Sequence, residues 1–389
     1  MVFMRILFTA NPLIGHVFPL LPLMYAARDA GHEVVVATGA ELIPELSSRG
    51  FSTWTVGPSF ADAFADLQRA SSDPEVAPGA ELGGDAIFLF ARPSVRRALE
   101  LIPRAAAWRP DVVISEIAEF AGRETAVVTG ALPVTHGFGT HVPESARFAR
   151  IILDHLSSEL GTPSRQHAFD TGLYLDPCPP SLQSDGLTGL DSWLIRPGIG
   201  TSQAGQQLPQ PLRGLPERPI VYLTLGTVFN DPNLVRTVLD AIEELPISIL
   251  VTTGPGADPA LLGPRPANVA AVEFIPQAEV LPYTSIVMSH TGSGTMLGAL
   301  AAGVPQICLP RGADQFANAE RVLSVGAGIR VLPDEVSPER LRDAVLTVLR
   351  DQTYARAARA LQVEIEAMPA ADEVLADLVA LVSGYKRTA

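Results

Sequence analysis

The segment 287–318 places a histidine and two closely spaced glycines between an apolar run and a helix-like run. The apolar run ends at His290, the glycines are Gly292 and Gly294, and the helix-like run begins at Thr295. Glycines let backbone N–H groups turn toward an anion, and the dipole of the following helix favours negative charge at its N-terminus. This order predicts a turn that holds a diphosphate-like group, with a histidine beside it that can donate a hydrogen bond.

A second apolar strand, 306–310, precedes a carboxylate and an amide, Asp314 and Gln315. Together these side chains can accept and donate hydrogen bonds, which suits a ligand with vicinal hydroxyl groups. Asp314 also stands where it could cap the helix that carries Asn318. The two roles are compatible, so the pattern predicts a polar ligand contact and a helix start at one place.

Two further strand ends in the same half of the chain could contact a ligand. Strand 220–225 ends at Gly226 and Thr227, where glycine permits close backbone approach and a hydroxyl can reach a phosphate oxygen. An ordinary strand-end turn is the alternative for this pair. The segment Ile275-Pro276-Gln277 follows another strand end and could frame a nucleobase through its backbone groups.

The first half of the chain offers a candidate base, His16, in the loop between the first strand and the first helix. A histidine there could take a proton from a hydroxyl group if an acid orients it, and a structural role is the alternative. Glu116, directly after strand 111–115, is the predicted partner and Glu119 is the rival, because parallel strands end at the same edge of a sheet. Further histidines with weaker placement are His136 and His141.

The elements that must position these residues alternate between strand and helix in two separate stretches. The first begins with a β-α-β unit from Arg5 to Gly39, whose short connections imply parallel strands with a right-handed crossover. Residues 57–90 and 140–195 fit the alternation poorly. A second alternation runs over residues 220–332. The pattern predicts an α/β protein with two Rossmann-like β/α/β domains facing an interdomain cleft, and ligands beyond the C-terminal strand ends.

The boundaries of these domains follow from composition. Residues 196–219 are dense in Pro, Gly and Gln, which is typical of a linker. We therefore predict a first Rossmann-like domain over 1–200, an interdomain linker over 201–219 and a second Rossmann-like domain over 220–368. A C-terminal helix in 369–389 is expected to pack back on the first domain.

Composition bounds the class of protein. The 389 residues are 47% hydrophobic and 18% charged, which fits a globular chain long enough for two domains. A net charge of −14 argues against nucleic acid and anionic membrane surfaces, both of which need clustered Lys and Arg. Cys178 and Cys308 are far apart, so neither a disulfide nor a metal site is expected. We find no leader pattern and no run of about 18 apolar residues, so a cytoplasmic location is the default.

The segment 287–318 is similar to the donor-sugar signature of GT-B glycosyltransferases, roughly H-x-G-x-G-T…G-x-P…D-Q-x-x-N-A. With the opening G-H-x-x-P-L…G-H-E-V from Gly15 to Val34, the chain resembles the bacterial natural-product glycosyltransferases, which are related to UDP-sugar transferases of plants and mammals. The resemblance implies a hexosyltransferase-type enzyme with two Rossmann-like domains. The first binds mainly the acceptor and the second binds mainly the nucleotide-activated sugar.

Several residues match the positions that have functions in this family. His16 matches the general base, and Glu116 matches the acid that pairs with it, although that acid is usually Asp. Ile275, Pro276 and Gln277 match the base-binding turn, and Asp314 and Gln315 match the contacts to sugar hydroxyls. Contacts to the diphosphate are matched by Thr227, His290, Ser293, Gly294 and Thr295, and Gly226 and Gly292 are further candidate donor-binding residues.

Two departures from the family pattern stand out. The plant signature carries a ribose-binding glutamate eight residues after the histidine, and here that position is Gly298. A missing ribose acid is compatible with a 2′-deoxyribose, hence a dTDP-sugar donor. Thr291 replaces the commoner glycine after the histidine, from which a modest local change is expected.

The resemblance implies an inverting transfer from a dTDP-sugar to a hydroxyl of a lipophilic natural-product aglycone, such as a polyketide antibiotic precursor. No cofactor and no metal are expected, because no acidic cluster has metal-ligand spacing and His290, Thr295 and the helix N-terminus would stabilise the departing diphosphate. The resemblance leaves the sugar, the linkage atom and the oligomeric state open, with a homodimer as one alternative.

Three functions from other classes remain as alternatives. An NDP-sugar 2-epimerase would use the same scaffold without an acceptor. A nicotinamide-dependent oxidoreductase would use Gly292, Gly294 and Gly298 as a dinucleotide fingerprint, although this pattern falls late in its domain. A non-catalytic protein would bind the nucleotide sugar without turnover.

Overall fold

The computed structural model describes residues 3–71, 87–161, 172–184, 191–198, 208–226 and 231–388. The chain divides into two compact units. The first comprises Met1–Pro177, Asp185–Ile195 and Pro369–Ala389, and the second comprises Cys178–Ser184 and Arg196–Met368. The predicted first domain ran unbroken to residue 200, so it did not anticipate that Cys178–Ser184 belongs to the second unit. This proline-rich segment has no strand or helix pattern that could have assigned it.

The first unit is built on a sheet of seven parallel strands within the described residues. Their order is β3-β2-β1-β4-β5-β6-β7, so the direction of winding reverses between β1 and β4. The strands are β1 Arg5–Thr9, β2 Glu33–Thr38, β3 Ser52–Thr55, β4 Val112–Glu116, β5 Leu132–His136, β6 Leu173–Asp176 and β7 Asp191–Leu194. The central strands are rich in buried Val, Ile and Leu, as expected for a parallel sheet covered on both faces.

The helices of the first unit include a long C-terminal one. They are α1 Ile14–Val17, α2 Leu21–Asp29, α3 Ile43–Ser48, α4 Phe60–Ser71, α5 Arg92–Trp108, α6 Ala121–Thr129, α7 Pro143–Leu160 and α14 Ala371–Thr388. On α14, Val374, Leu375 and Leu378 join the same buried cluster as Met24 of α2 and Leu20, which precedes α2. The C-terminal helix therefore completes the core of the first unit.

The second unit has a sheet of six parallel strands within the described residues, in the order β10-β9-β8-β11-β12-β13. The winding reverses between β8 and β11. The strands are β8 Ile220–Thr224, β9 Ser248–Thr252, β10 Val269–Val272, β11 Ile286–Ser289, β12 Gln306–Cys308 and β13 Gly328–Arg330. The helices are α8 Pro232–Ile242, α9 Gln277–Val280, α10 Ser293–Ala301, α11 Gln315–Ser324, α12 Pro338–Arg350 and α13 Gln352–Glu366. Buried aliphatic side chains of the strands, α8 and α12 form its core.

The alternation of strands and helices predicted from sequence is confirmed, and three short strands were missed. These strands are β3, β6 and β7, each of four residues. β3 and β7 are the outermost strands of the sheet and expose part of their side chains, so they lack a continuous apolar run. β6 is buried, but its four residues are too few to show a period.

Candidate active site

The first candidate site lies at the reversal point of the first sheet, where the loops after β1 and β4 meet. His16 belongs to the short helix α1, which follows β1, and Glu116 is the last residue of β4. His16 Nδ1 lies 2.9 Å from Glu116 Oε1. The carboxyl side chain is 1% exposed and the imidazole is 18% exposed, so the pair has a buried acid and an accessible ring.

The hydrogen bonds of the His16–Glu116 pair fix its proton arrangement. Burial raises the pKa of Glu116, but the opposing effects of His16 and of the backbone N–H groups of Ala118 and Asn11 are larger, so the net pKa is lowered. An ionised carboxylate only accepts hydrogen bonds, so Nδ1 of His16 carries the proton that it donates. In the neutral form of a ring held this way, Nε2 has the lone pair, which is the arrangement a general base needs.

The rival acid, Glu119, is engaged elsewhere. Its carboxylate accepts hydrogen bonds from the backbone N–H groups of Ala121 and Gly122 in the first turn of α6, and it pairs with Arg97 at 3.1 Å. These contacts account for both carboxylate oxygens. Of the two acids considered from the sequence, the structure therefore places Glu116 against His16.

The other two histidines of this region are buried. His136 is opposite Glu116 in the register of β4 and β5, and its Nδ1 is hydrogen bonded to the Gly137 carbonyl. Burial lowers the pKa of His136 to about 4, so it is neutral at physiological pH. His141 is 5% exposed. The ring of Phe138, in the loop after β5, packs at 5.2 Å from the ring of His16.

The second candidate site lies at the reversal point of the second sheet. Gly226 follows β8, and His290 follows its neighbour β11. A Cβ atom at Gly226 would lie 2.5 Å from His290 Cε1, and one at Gly292 would lie 2.5 Å from His290 Nε2. Gly226 also has a φ of +76°, which L side chains rarely adopt. The histidine ring therefore packs directly against the backbones of Gly226 and Gly292. A residue with a side chain at either position would collide with the ring.

The electrostatics of His290 suit a hydrogen-bond donor more than a permanent cation. Burial lowers its pKa, and the negative charge of Asp314 and the backbone of Thr224 oppose this effect without overcoming it. A neutral imidazole carries one N–H group, which it can offer to a ligand.

The helix after the glycine turn begins two residues earlier than predicted. It starts at Ser293, with Gly292 at the N-cap position, and not at Thr295. The first turn of a helix tolerates weak helix formers such as Ser and Gly, because its N–H groups have no intrahelical partner in any case. Those N–H groups therefore belong to Ser293, Gly294 and Thr295, three of the predicted ligand contacts.

Asp314 and Asn318 connect this turn to α11. Asp314 Oδ2 accepts hydrogen bonds from Ser293 Oγ at 2.6 Å and from Asn318 Nδ2 at 2.9 Å. Asp314 holds the N-cap position of α11 but makes no side-chain capping bond, so that part of the expectation is wrong. Its carboxylate instead accepts a hydrogen bond from Ser293 at the start of α10.

Gln315 is also partly committed within the protein. It is buried, and its Oε1 accepts hydrogen bonds from the backbone N–H groups of Arg311 and Gly312. The amide oxygen thus shapes the loop after β12, and only the amide nitrogen is left as a donor toward a ligand.

The segment after β10 also adjoins the glycine turn. Gln277 Nε2 donates a hydrogen bond to Thr295 Oγ1 at 2.9 Å, so two of the predicted site residues touch. Ile275 is buried, and Pro276 holds the N-cap position of α9. The preceding residue, Phe274, is a large apolar side chain that is 55% exposed. Phe274 was not predicted from the sequence, although an aromatic residue directly before the predicted nucleobase-binding turn was the available signal. Thr227 lies outside the described residues.

Thr291 explains the family preference for glycine at its position. Its φ is +65°, in the left-handed region that is costly for a β-branched residue. The chain holds this conformation with three hydrogen bonds: Thr291 N–H to Ser289 Oγ, Thr291 Oγ1 to the Ser289 carbonyl, and Asn318 Nδ2 to the Thr291 carbonyl. The departure at Thr291 is therefore accommodated locally.

The described residues contain no group of three or more His, Cys, Asp or Glu side chains that could hold a metal ion. Cys178 and Cys308 are both buried and free, and burial raises the pKa of Cys308 to about 12. None of the described helices is both long enough and apolar enough to cross a membrane. The cytoplasmic location stays a prediction.

The two Rossmann-like parallel sheets, each with candidate site residues at its reversal point, define an α/β protein of the GT-B class. Residues 236–381 match the family described as erythromycin biosynthesis protein CIII-like, C-terminal domain. The chain is 32% identical to L-demethylnoviosyl transferase of Streptomyces niveus over 365 residues, which cover 92% of this chain and 93% of that relative.

Solved structures agree with this assignment. The spinosyn rhamnosyltransferase SpnG has a TM-score of 0.79 at 26% identity, covering 96% of this chain and 100% of that chain. The glycosyltransferase VinC in complex with dTDP has a TM-score of 0.79 at 25% identity, covering 98% of this chain and 100% of that chain. SpnG has also been solved with thymidine diphosphate and with spinosyn aglycone. The chain therefore belongs to the natural-product GT-B glycosyltransferases and is a glycosyltransferase, which removes the nicotinamide alternative.

Proposed function

We propose that this enzyme transfers a deoxysugar from a dTDP-sugar to a hydroxyl group of a lipophilic natural-product aglycone, with inversion and with His16 as general base. The observation that carries the proposal is the His16–Glu116 pair, in which a buried carboxylate lies 2.9 Å from Nδ1 of a partly exposed imidazole ring. No second function has a specific observation in its favour.

The acceptor half of the reaction is assigned to this pair. As the acceptor oxygen attacks the anomeric carbon, its proton moves to His16 Nε2, and the ring becomes an imidazolium. The Glu116 carboxylate, 2.9 Å from Nδ1, stabilises that positive charge without having to move. The new carbon–oxygen bond forms on the face opposite the diphosphate while the old one breaks, so the anomeric configuration inverts.

The donor half is assigned to the second unit. The N-terminus of α10 presents backbone N–H groups at Ser293, Gly294 and Thr295 to the diphosphate, together with the positive end of the helix dipole. The neutral His290 ring donates a further hydrogen bond to the leaving oxygen. We propose that these donors, rather than a metal ion, balance the charge that develops on the dTDP leaving group.

The remaining donor contacts are assigned by chemistry. The exposed ring of Phe274 offers a stacking face for the thymine, beside Ile275, Pro276 and Gln277. Asp314 accepts hydrogen bonds from the sugar hydroxyls, and the Nε2 of Gln315 donates one. Gly298 presents no side chain to a ribose 2′-hydroxyl, which favours the deoxyribose of dTDP. The dTDP complexes of VinC and SpnG support this choice of nucleotide.

Turnover of His16→Ala tests the proposal directly. With a dTDP-deoxysugar and a panel of polyketide aglycones, we expect kcat to fall by at least about 100-fold, since general base catalysis contributes about 10²–10⁴-fold. The KM for the donor should stay near the wild-type value, because the proposed donor contacts lie in the second unit. Release of dTDP and the anomeric configuration of the product, read by NMR, are the measurements.

The matched control is His155→Ala, which removes a partly buried histidine of α7 from the same unit. That variant should keep wild-type kcat. Near-normal turnover of His16→Ala, or a product with retained configuration, would contradict the proposed mechanism. Conversion of the nucleotide sugar to an epimer without acceptor would instead support the 2-epimerase alternative.

A further inference from the structure

We propose that Asn11, held in place by Arg97, is a positioning residue that fixes the Glu116 carboxylate against His16. The inference rests on the proposed role of His16 as the base. It concerns a buried chain of hydrogen bonds, Arg97–Asn11–Glu116–His16, that connects α5 to the loop after β1 and to the end of β4. Neither Asn11 nor Arg97 belongs to a motif that sequence reasoning singled out.

Glu116 needs more restraint than the shorter acid usually found at its position. A glutamate has one more rotatable bond than an aspartate, so its carboxylate can reach more places. Asn11 supplies most of the restraint, because its Nδ2 and its backbone N–H both donate to Glu116 Oε1, at 2.7 and 3.3 Å. The backbone N–H of Ala118 holds Oε2 at 2.6 Å.

Arg97 determines which way the Asn11 amide points. A guanidinium has donors and no acceptor, so it must face the amide oxygen, and Arg97 Nη1 lies 3.0 Å from Asn11 Oδ1. The amide nitrogen is thereby turned toward Glu116 and toward the Ala118 carbonyl, at 2.7 and 2.8 Å. The reverse orientation would place the amide oxygen against the carboxylate and the amide nitrogen against the guanidinium.

The charges of the cluster leave the Glu116 charge available to His16. Arg97 is 1% exposed and pairs with Glu119, which is 0% exposed. Glu119 balances the positive charge of the Arg97 guanidinium. The group that contacts both Arg97 and Glu116 is the neutral amide of Asn11. The imidazolium formed in the reaction is then the main partner of the Glu116 charge. Among the residues that the structure describes, His136 on β5 is a further titratable group that faces Glu116.

The variant Asn11→Asp tests this arrangement, because it changes one donor into an acceptor at nearly constant shape. A carboxylate at position 11 would lie against Glu116, and two such acids together retain a proton to higher pH than either alone. When protonated, the new acid donates its O–H to Glu116 where the amide nitrogen stood. When ionised, it repels Glu116.

We therefore expect the kcat of Asn11→Asp to fall about 10- to 100-fold at high pH, the range seen for partners that orient metal-binding histidines. The ratio of variant to wild-type kcat should rise as the pH is lowered, while the KM for the donor stays unchanged. Asn11→Ala, which lacks both the donor and the new acid, should show a reduced kcat ratio that does not depend on pH.

Two controls separate positioning from folding. Circular dichroism at each pH gives the folded fraction, and kcat is expressed per folded enzyme. Asn268→Asp makes the same change at a buried asparagine of the second unit, which donates to two backbone carbonyls, and its kcat ratio should be constant with pH.

A kcat ratio for Asn11→Asp that is constant with pH, or wild-type kcat in Asn11→Ala, would overturn the inference. If Asn11→Asp does not fold, Asn11→Ala decides on its own through kcat and donor KM. These results are distinct from failure of the proposed function. If His16→Ala retains turnover, the base assignment falls, whereas loss in His16→Ala with full activity in both Asn11 variants overturns only the positioning role.

Discussion

At the scale of single residues, His136 connects the environment of Glu116 to the stability of the protein. Burial lowers the pKa of His136 to about 4 from an ordinary value of 6.5. Between these values the unfolded chain binds a proton that the folded chain does not bind. The free energy of unfolding must therefore fall as the pH falls through this window, and this contribution ends below pH 4.

The replacement His136→Gln should remove that dependence. Between pH 7.5 and 4.5, we expect the free energy of unfolding of the first unit to fall by about 2–3 kcal/mol less in the variant than in the wild type, at 1.36 kcal/mol for each pH unit. All three tryptophans, Trp54, Trp108 and Trp193, lie in the first unit, so urea unfolding followed by tryptophan fluorescence reports on it. Equal pH slopes for the two proteins would contradict the assignment of a neutral buried His136.

The His16–Glu116 contact could be predicted from the sequence, but the contacts of Asn11 and Arg97 that hold Glu116 could not. Two adjacent parallel strands end at one sheet edge, so a histidine after β1 and an acid at the end of β4 had to lie near each other. Their catalytic roles stay proposals. Arg97 is 86 residues from Asn11 in the chain, and no pattern in α5 distinguishes it from its exposed neighbour Arg96. Only the packing of α5 against the sheet brings Arg97 to Asn11.

At the scale of elements, the glycine turn before α10 is predicted to depend on one of its glycines more than on another. A Cβ at Gly292 would lie 2.5 Å from His290 Nε2, whereas a Cβ at Gly294 meets no atom within 4 Å. Gly292→Ala should therefore displace the His290 ring, lower the melting temperature and raise the KM for the donor. Overpacking of this kind costs about 1–3 kcal/mol.

Gly294→Ala is the matched control for that substitution. It lies in the same turn, and an alanine in a helix is more stable than a glycine by about 0.5–1 kcal/mol. Its melting temperature in calorimetry should equal or exceed that of the wild type. If both variants lose the same stability, the close packing of His290 against the turn is wrong.

The elements themselves were largely predictable, because long apolar strands alternate with amphipathic helices. The strand predicted over 220–225 is β8, Ile220–Thr224, in the structure. The start of α10 was not predictable, because Ser293 and Gly294 are weak helix formers and only the backbone geometry shows that they already belong to the first turn.

At the scale of the whole molecule, the C-terminal helix belongs to the first unit although the second unit precedes it in the chain. Leu378 of α14 is 1% exposed and joins the core of the first unit, whereas Leu381 of the same helix is 36% exposed. Leu378→Ala should destabilise the first unit by about 2–5 kcal/mol, because it removes a buried side chain and leaves a cavity.

Leu381→Ala makes the same chemical change on the exposed side of α14 and should cost much less. Urea unfolding followed by tryptophan fluorescence separates the two, since this signal arises in the first unit. Equal losses of stability in the two variants would contradict the packing of α14.

The segment Cys178–Ser184 could not have been assigned to the second unit from sequence, because its partners Glu364 and Arg321 are more than a hundred residues away.

The central claim is that the second unit binds a dTDP-sugar. Calorimetric unfolding of the purified protein with dTDP, UDP, GDP, NADH or NADP⁺ tests it most directly, because a ligand of the folded state stabilises it by about 2.7 kcal/mol at one hundred times its Kd. We predict that dTDP raises the melting temperature more than UDP or GDP does and that the nicotinamide nucleotides leave it unchanged. Stabilisation by UDP or GDP without an effect of dTDP would contradict the account.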